Sequence, residues 1–239
     1  MKPSVSVCMA TYNGEKYIGQ QILSILQQID KNDELIISDD GSTDATISII
    51  NAIDDKRIKL VKNTGTHGYT SNFENALKHS SNDVIFLSDQ DDIWEPDKVA
   101  VCIKYLKRYD FVVHDATVVD SENRLISKSY YDQRTVYKSW IGNLIKFGYL
   151  GCCMAFNRAV MQRSLPFPEN RTLCTHDNWL FLIARSYYRV GILNEKLIRY
   201  RRHGLNTSSG GRKSSLKLFF MLKYRLYLIL QLWQRLRLK

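Results

Sequence analysis

The chain has 239 residues and no run of about twenty apolar ones, so nothing in it reads as a membrane-spanning helix. It carries neither the glycine-rich dinucleotide fingerprint nor the Walker lysine motif, which weighs against a dehydrogenase or an ATPase. Its five cysteines are an odd number, and none stands at CxxC or His-pair spacing. Cys8 and Cys102 lie in apolar runs, Cys152 and Cys153 adjoin, and Cys174 is alone, which argues against a zinc cluster and against a disulfide framework. A reducing compartment suits such a chain. Met1-Lys2-Pro3-Ser4 leads straight into an apolar strand, too short a lead for a signal peptide, so the expected location is the cytoplasm. Internal repeats and low-complexity segments are also missing.

The formal net charge of +10 suggests nucleic acid until it is located. From Lys196 onward there are twelve Lys or Arg and no Asp or Glu, which leaves 22 basic against 24 acidic residues in the body. The basic excess belongs to the tail, and no nucleic-acid partner is expected for the main domain. A chain of this length buries one good core.

Four times before Phe111 an apolar strand gives way to a polar loop and then to a helical pattern. The strands are expected at Val5–Ala10, Glu34–Ser38, Ile58–Lys62 and Val84–Ser88. A helix over Glu15–Gln28 has Tyr17, Ile18, Ile22, Ile25 and Leu26 at core spacing. A second, capped by Ser42 or Thr43, runs to about Ile53; a third spans Thr70–His79; a fourth runs from the turn at Pro96 to Leu106. This alternation implies a parallel, doubly wound sheet whose strand-end loops share one edge. The second half is less regular. Strands are expected at Phe111–Val113 and Tyr149–Phe156, and a helix near Ser139–Phe147. Another helix is opened by Thr175-His176-Asp177-Asn178, and Ile192–Tyr200 is extended.

The chemistry gathers in the loops. Asp89-Gln90-Asp91-Asp92, at the end of the fourth strand, places three carboxylates in four positions, a repulsion that a hard divalent cation would remove. Thr11-Tyr12-Asn13 and Asp39-Asp40 end the first two strands; a ring and a carboxylate there suit a nucleobase, by stacking and by accepting an N–H. A carboxylate-bound cation suits a diphosphate leaving group.

Taken together, Val5–Gly14, Ile37–Asp44 and Ser88–Trp94 resemble the family 2 glycosyltransferases, inverting enzymes with the GT-A fold. The likeness continues through Gly151–Arg158, His176-Asp177-Asn178-Trp179 and Tyr200–Gly204, in the order of that family. The Asp-Gln-Asp-Asp and His-Asp-x-Trp forms are most similar to rhamnosyltransferase-type enzymes of bacterial surface polysaccharide assembly. The resemblance implies an α/β GT-A domain over residues 1–208, with a mostly parallel sheet, and a basic tail over 209–239. It implies that Thr11, Tyr12, Asn13, Glu15, Asp39 or Asp40, Asp89 and Gln90 bind the nucleotide of a UDP- or dTDP-sugar. Asp91, with Asp89 and His203, would hold Mg²⁺ or Mn²⁺, His203 alternatively reaching the diphosphate. Asp177 matches the catalytic base, and Gly151, Cys152, His176, Asp177 and Trp179 fall where the sugar and acceptor would lie. The processive-synthase signature Gln-x-x-Arg-Trp is absent, which implies one transfer per acceptor, a glycan or lipid-linked chain.

The tail, Lys213–Lys239, reads as a helix rich in Leu and interspersed with Lys and Arg. It suits the anionic cytoplasmic leaflet of a membrane, or a face of its own domain or of a second subunit. Two rival readings remain: a sugar-phosphate nucleotidylyltransferase, which should carry a glycine-rich loop with a lysine that Thr11–Glu15 lacks, and a non-catalytic protein that binds lipid or nucleic acid through its tail.

Overall fold

Val84-Ile85-Phe86-Leu87 contains no polar side chain, and all four residues are buried. Such a run is stable only in a strand covered on both faces, and β4 (Val84–Asp89) is the inner strand that this requires. The computed structural model describes residues 2–204 and 218–237. Strands β1 (Val5–Thr11), β2 (Glu34–Asp39), β3 (Ile58–Lys62) and β4 lie side by side in the order β3-β2-β1-β4, all parallel. Helices α1 (Ile18–Leu26), α2 (Thr46–Asn51) and α3 (Tyr69–Lys78) make the connections. α1 buries Ile18, Ile22 and Ile25, one face at helical spacing.

After β4 the chain adds β5 (Ile93–Trp94), α4 (Lys98–Leu106), β6 (Phe111–Val119), β7 (Leu125–Ser127), α5 (Trp140–Ile145), β8 (Met154–Asn157), α6 (Arg158–Ser164), α7 (His176–Tyr187), β9 (Val190–Arg201) and α8 (Leu218–Arg237). Among the described residues the sheet has nine strands in the order β3-β2-β1-β4-β8-β6-β9-β5, with β7 alongside β6. β8 runs antiparallel between β4 and β6, whereas β6 and β9 are parallel. The sheet is thus mostly parallel on its first side and mixed on the other.

Several local expectations change. Tyr149–Phe156 is not one strand: a 3₁₀ turn at Gly151–Cys153 precedes β8. Because β8 is antiparallel to β4, this turn arrives beside the carboxyl end of β4. Helix α2 is not capped by Ser42 or Thr43, since it starts at Thr46, whose N–H is accepted by Asp44 Oδ1 at 3.0 Å. β6 and β9 each run longer than their apolar cores suggest, because they pair with each other along most of their length.

The tail helix lies against its own domain. Leu228 is fully buried and Leu232 is 7% exposed, and both join the main core. The expected helical segment Lys213–Lys217 falls outside the described residues. Among the described residues no helix is long and apolar enough to cross a membrane.

Candidate active site

β1 and β4 are neighbours although their crossovers lead to opposite sides, so the loops after them diverge and leave a crevice at the carboxyl edge. Such a switch point is where open α/β sheets take ligands. Thr11 pairs with Asp39 across β1 and β2, and Ala10 with Asp89 across β1 and β4, which sets the three acidic or aromatic loops side by side.

On the β1–β2 side Tyr12 is 44% exposed and meets the edge of His67, ring centroids 4.9 Å apart. Asp40 receives the Gly68 N–H at 2.7 Å and pairs with His67 at 2.9 Å through Oδ2, and takes Asn63 Nδ2 at 2.6 Å through Oδ1. Asp39 Oδ2 accepts the N–H groups of Gly41 and Ser42, both at 2.9 Å. Each aspartate keeps one oxygen with a single internal donor, so each retains a lone pair for a ligand N–H. His67 had no role assignable from its sequence position; the fold brings it to the ring and the carboxylate.

Three residues expected at the nucleotide hold the loops. Gln90 accepts from Thr11 Oγ1 at 2.6 Å and from the Tyr12 N–H at 2.8 Å, and donates to the Tyr12 carbonyl at 3.0 Å. Its amide fills the space a Cβ at Gly14 would need, 2.4 Å away. Asn13, at φ 47°, accepts from the Thr43 N–H at 2.8 Å, and Glu15 accepts from the Ala45 N–H at 2.9 Å. Asn13 and Glu15 tie the loop after β1 to the loop after β2, and Gln90 ties it to the loop after β4.

The β4 loop forms an acidic centre. Asp91 Oδ2 lies 2.7 Å from His203 Nε2. His203 is backed by Tyr17, whose ring also lies under the Arg201 guanidinium at 4.6 Å. Asp92, 1% exposed, accepts the Arg201 N–H at 3.0 Å through Oδ1, while Oδ2 has no partner. Ligand atoms of Asp89, Asp92 and Cys152 lie within 4.8 Å of one another. Burial, then the Asp91 charge, pushes the Asp89 carboxyl up to about 7, and burial pushes Asp92 well above its ordinary range. An orphaned buried carboxylate oxygen, an imidazole and carboxyls made reluctant to ionise by burial first and by one another's charge second are the donor set a hard divalent cation fits. Cys152 is not a natural member: a hydrogen bond with Cys153, then burial, holds its thiol well above the usual range.

Below this centre Lys98 is fully buried, a residue that its helical position did not flag. Its ammonium donates to the Cys152 carbonyl at 2.7 Å and lies 4.1 Å from the Trp94 ring centroid. Burial lowers its pKa, and the Asp92 charge works in the opposite direction.

The other wall is the first turn of α7. Asp177 is partly buried and accepts the Asn178 N–H at 2.7 Å; the N-cap position belongs to Thr175, so Asp177 is not the cap. His176 stacks on Phe73 at 4.1 Å, and neither ring nitrogen has a partner. Burial lowers its pKa, so the ring is neutral. A Cβ on Gly151 would lie 2.6 Å from His176 Nε2, so only glycine fits there. Trp179, expected at the acceptor pocket, is instead fully buried and donates to the Ser164 carbonyl at 2.9 Å; it packs the core.

A mostly parallel α/β sheet with an acidic centre at its switch point and a carboxylate on the facing helix defines a GT-A-type domain. Residues 6–165 match the glycosyl transferase family 2. An uncharacterized glycosyltransferase of Haemophilus influenzae is 30% identical over 87% of this chain and 68% of its own length. The dTDP-rhamnosyl transferase RfbG of Shigella flexneri is 29% identical over 95% of this chain and 81% of its own. S. aureus TarS 1-349, in its crystal structure with UDP-GlcNAc, superposes with a TM-score of 0.71 at 19% identity, over 95% of this chain and 66% of that TarS fragment. The chain belongs to glycosyl transferase family 2.

Proposed function

We propose that the chain is an inverting glycosyltransferase that moves one sugar from a UDP- or dTDP-sugar to a glycan or lipid-linked acceptor in surface polysaccharide assembly. The observation that carries this reading is the meeting of the Asp89–Asp92 centre and Asp177 at one edge of the sheet, where the Asp177 charge contributes to raising the Asp89 pKa. The name of the Shigella relative supports rhamnose as the sugar.

Tyr12, backed by His67, stacks on the base, and Asp39 or Asp40 accepts its N–H. Asp91 and His203, with Asp89 behind them, would hold Mg²⁺ or Mn²⁺, which supplies positive charge to the departing diphosphate. Asp177 takes the proton of the acceptor hydroxyl as its oxygen bonds to the anomeric carbon and the carbon–diphosphate bond breaks on the opposite face. That displacement inverts the centre in one step. His176, neutral and without partners, and Gly151 shape the space in front of the base.

The outer face of α8 supports a peripheral position at the cytoplasmic face of a membrane. Leu222, Leu226, Ile229, Leu230 and Trp233 are exposed there, as are Ile141 and Ile145 of α5. The tail's basic residues suit anionic lipid. Sedimentation with phosphatidylglycerol vesicles should carry the protein down, and a Leu226→Ser, Leu230→Ser, Trp233→Ser variant should stay in solution. Equal binding by both would remove the membrane role.

The donor site is tested by thermal unfolding with Mn²⁺ and, in turn, UDP, dTDP, GDP and CDP. A ligand that binds only the folded state raises its apparent stability. A metal-dependent rise with UDP or dTDP that is lost in Asp91→Ala is the expected outcome. Metal-independent protection, or none, would refute the donor site.

A further inference from the structure

The tail helix has two faces with different work. Tyr224, Leu228 and Leu232 recur at every fourth position and turn inward, while the exposed apolar residues turn away. The inner face is fastened at four places. Arg235 donates to the Leu165 and Pro166 carbonyls at 2.6 and 2.5 Å, and Arg225 donates to the Ile145 carbonyl at 2.7 Å. Tyr227 accepts the Asn170 N–H at 3.1 Å, and the Tyr224 hydroxyl accepts from the Asn178 side-chain amide.

The last of these contacts falls beside the catalytic wall. Asn178 is 2% exposed and follows Asp177 in the first turn of α7. Burial, then the Asp177 charge, raises the pKa of the Tyr224 phenol, and the same two causes act on Tyr69. Both phenols therefore stand in the field of Asp177 and stay protonated. Accepting from Asn178 leaves the Tyr224 O–H free to donate. The other polar fastenings of α8 reach backbone atoms of Ile145, Leu165, Pro166 and Asn170; the Tyr224 phenol is bonded to the side chain next to Asp177. Both α7 and α8 lie beyond residues 6–165, the part matched by the family.

We propose that α8 completes the acceptor side of the site, with Tyr224 as a positioning residue that holds the Asp177–Asn178 turn and presents its hydroxyl beside the base. The proposal rests on the reading of Asp177 as the base. It makes the docked tail part of the transfer machinery, so the helix that faces the membrane on one side finishes the active site on the other.

The direct test needs no acceptor. The ¹³C resonance of the Asp177 carboxyl, assigned by its loss in Asp177→Asn, is recorded at pH 7 in the full chain and in Tyr224→Phe. Removing a proton donor beside a carboxylate changes the polarisation of that carboxylate, so the resonance should be displaced in Tyr224→Phe. Leu228→Ala, which loosens the helix, should move it the same way. Release of nucleotide to water from UDP-glucose, UDP-GlcNAc or dTDP-rhamnose gives the kinetic arm. There kcat should fall about tenfold in Tyr224→Phe, with donor KM and nucleotide protection unchanged. An Asp177 resonance at the same position in wild type and Tyr224→Phe overturns the proposal, whatever the turnover. If Asp177→Asn still turns over donor as fast as wild type, the base reading falls instead, and the positioning role with it.

Discussion

Lys98 is the sharpest test of how the acidic centre is held. Replacing it by Met keeps the length of the side chain and removes the charge. The fully buried ammonium donates to the Cys152 carbonyl at 2.7 Å and lies 4.1 Å from the Trp94 ring. A hydrogen bond from a charged donor contributes about 1.5–3 kcal/mol. A desolvated cation over an indole adds about 2 kcal/mol. Burial already lowers the Lys98 pKa, so removing the charge also relieves a desolvation cost that offsets part of this. The net loss should be about 2–3 kcal/mol, which at roughly 2–4 °C per kcal/mol for a domain this size lowers Tm by about 4–12 °C. The sign of its pH dependence follows from Asp92, whose carboxyl burial holds well above its ordinary range. A raised folded pKa means stability that is full below the unfolded value and lost as pH rises through the folded one. Without Lys98 the Asp92 carboxyl rises further, so the loss should be larger at pH 8 than at pH 5. Calorimetry at the two pH values, with Asp92→Asn alone and combined with Lys98→Met, closes the cycle. A Tm within 2 °C of wild type at pH 8 (about the smallest shift a 1 kcal/mol loss would give), or a double variant worse than the sum of the singles, would refute the reasoning.

In EDTA the protein should lose stability as pH rises from about 4, the unfolded carboxylate value, to about 7, where Asp89 titrates in the fold; Asp89→Asn should flatten that slope, as melting curves across the range will show. Gly151→Ala would place a Cβ 2.6 Å from His176 Nε2 and 3.3 Å from Asp177 Cβ. Overpacking of this kind costs about 1–3 kcal/mol, and the displaced turn should lower donor hydrolysis while leaving protection by UDP and Mn²⁺ intact. His203→Ala should weaken Mn²⁺ affinity about 10- to 100-fold by titration calorimetry, because it removes the partner of Asp91.

Much of this protein is legible in its residue order. Apolar runs such as Val84–Leu87 can be satisfied only inside a two-sided sheet, and the four strand-to-loop alternations dictate parallel pairing of β1 to β4. The types of side chain at the strand ends name the chemistry: an aromatic, paired carboxylates, an Asp cluster. Local pattern carries this far because strand period and loop composition are properties of neighbours in sequence.

What only the tertiary structure decided are contacts between residues far apart in the chain. That Gln90, Asn13 and Glu15 hold loops together, that Trp179 is core, and that His67 backs Tyr12 follow from which loops meet at the switch point. The antiparallel entry of β8 delivers Gly151–Cys153 to the end of β4, and no periodicity within Tyr149–Phe156 encodes that direction. Lys98 reads as an ordinary basic residue of a helix, yet it is a cation buried beside the acidic centre. α8, an uneven mixture of Leu and Arg in sequence, resolves into an inner and an outer face only when the surface it docks on is present. Sequence pattern set the elements and the types of side chain at the strand ends; long-range packing set which of them line the crevice and which hold the loops around it.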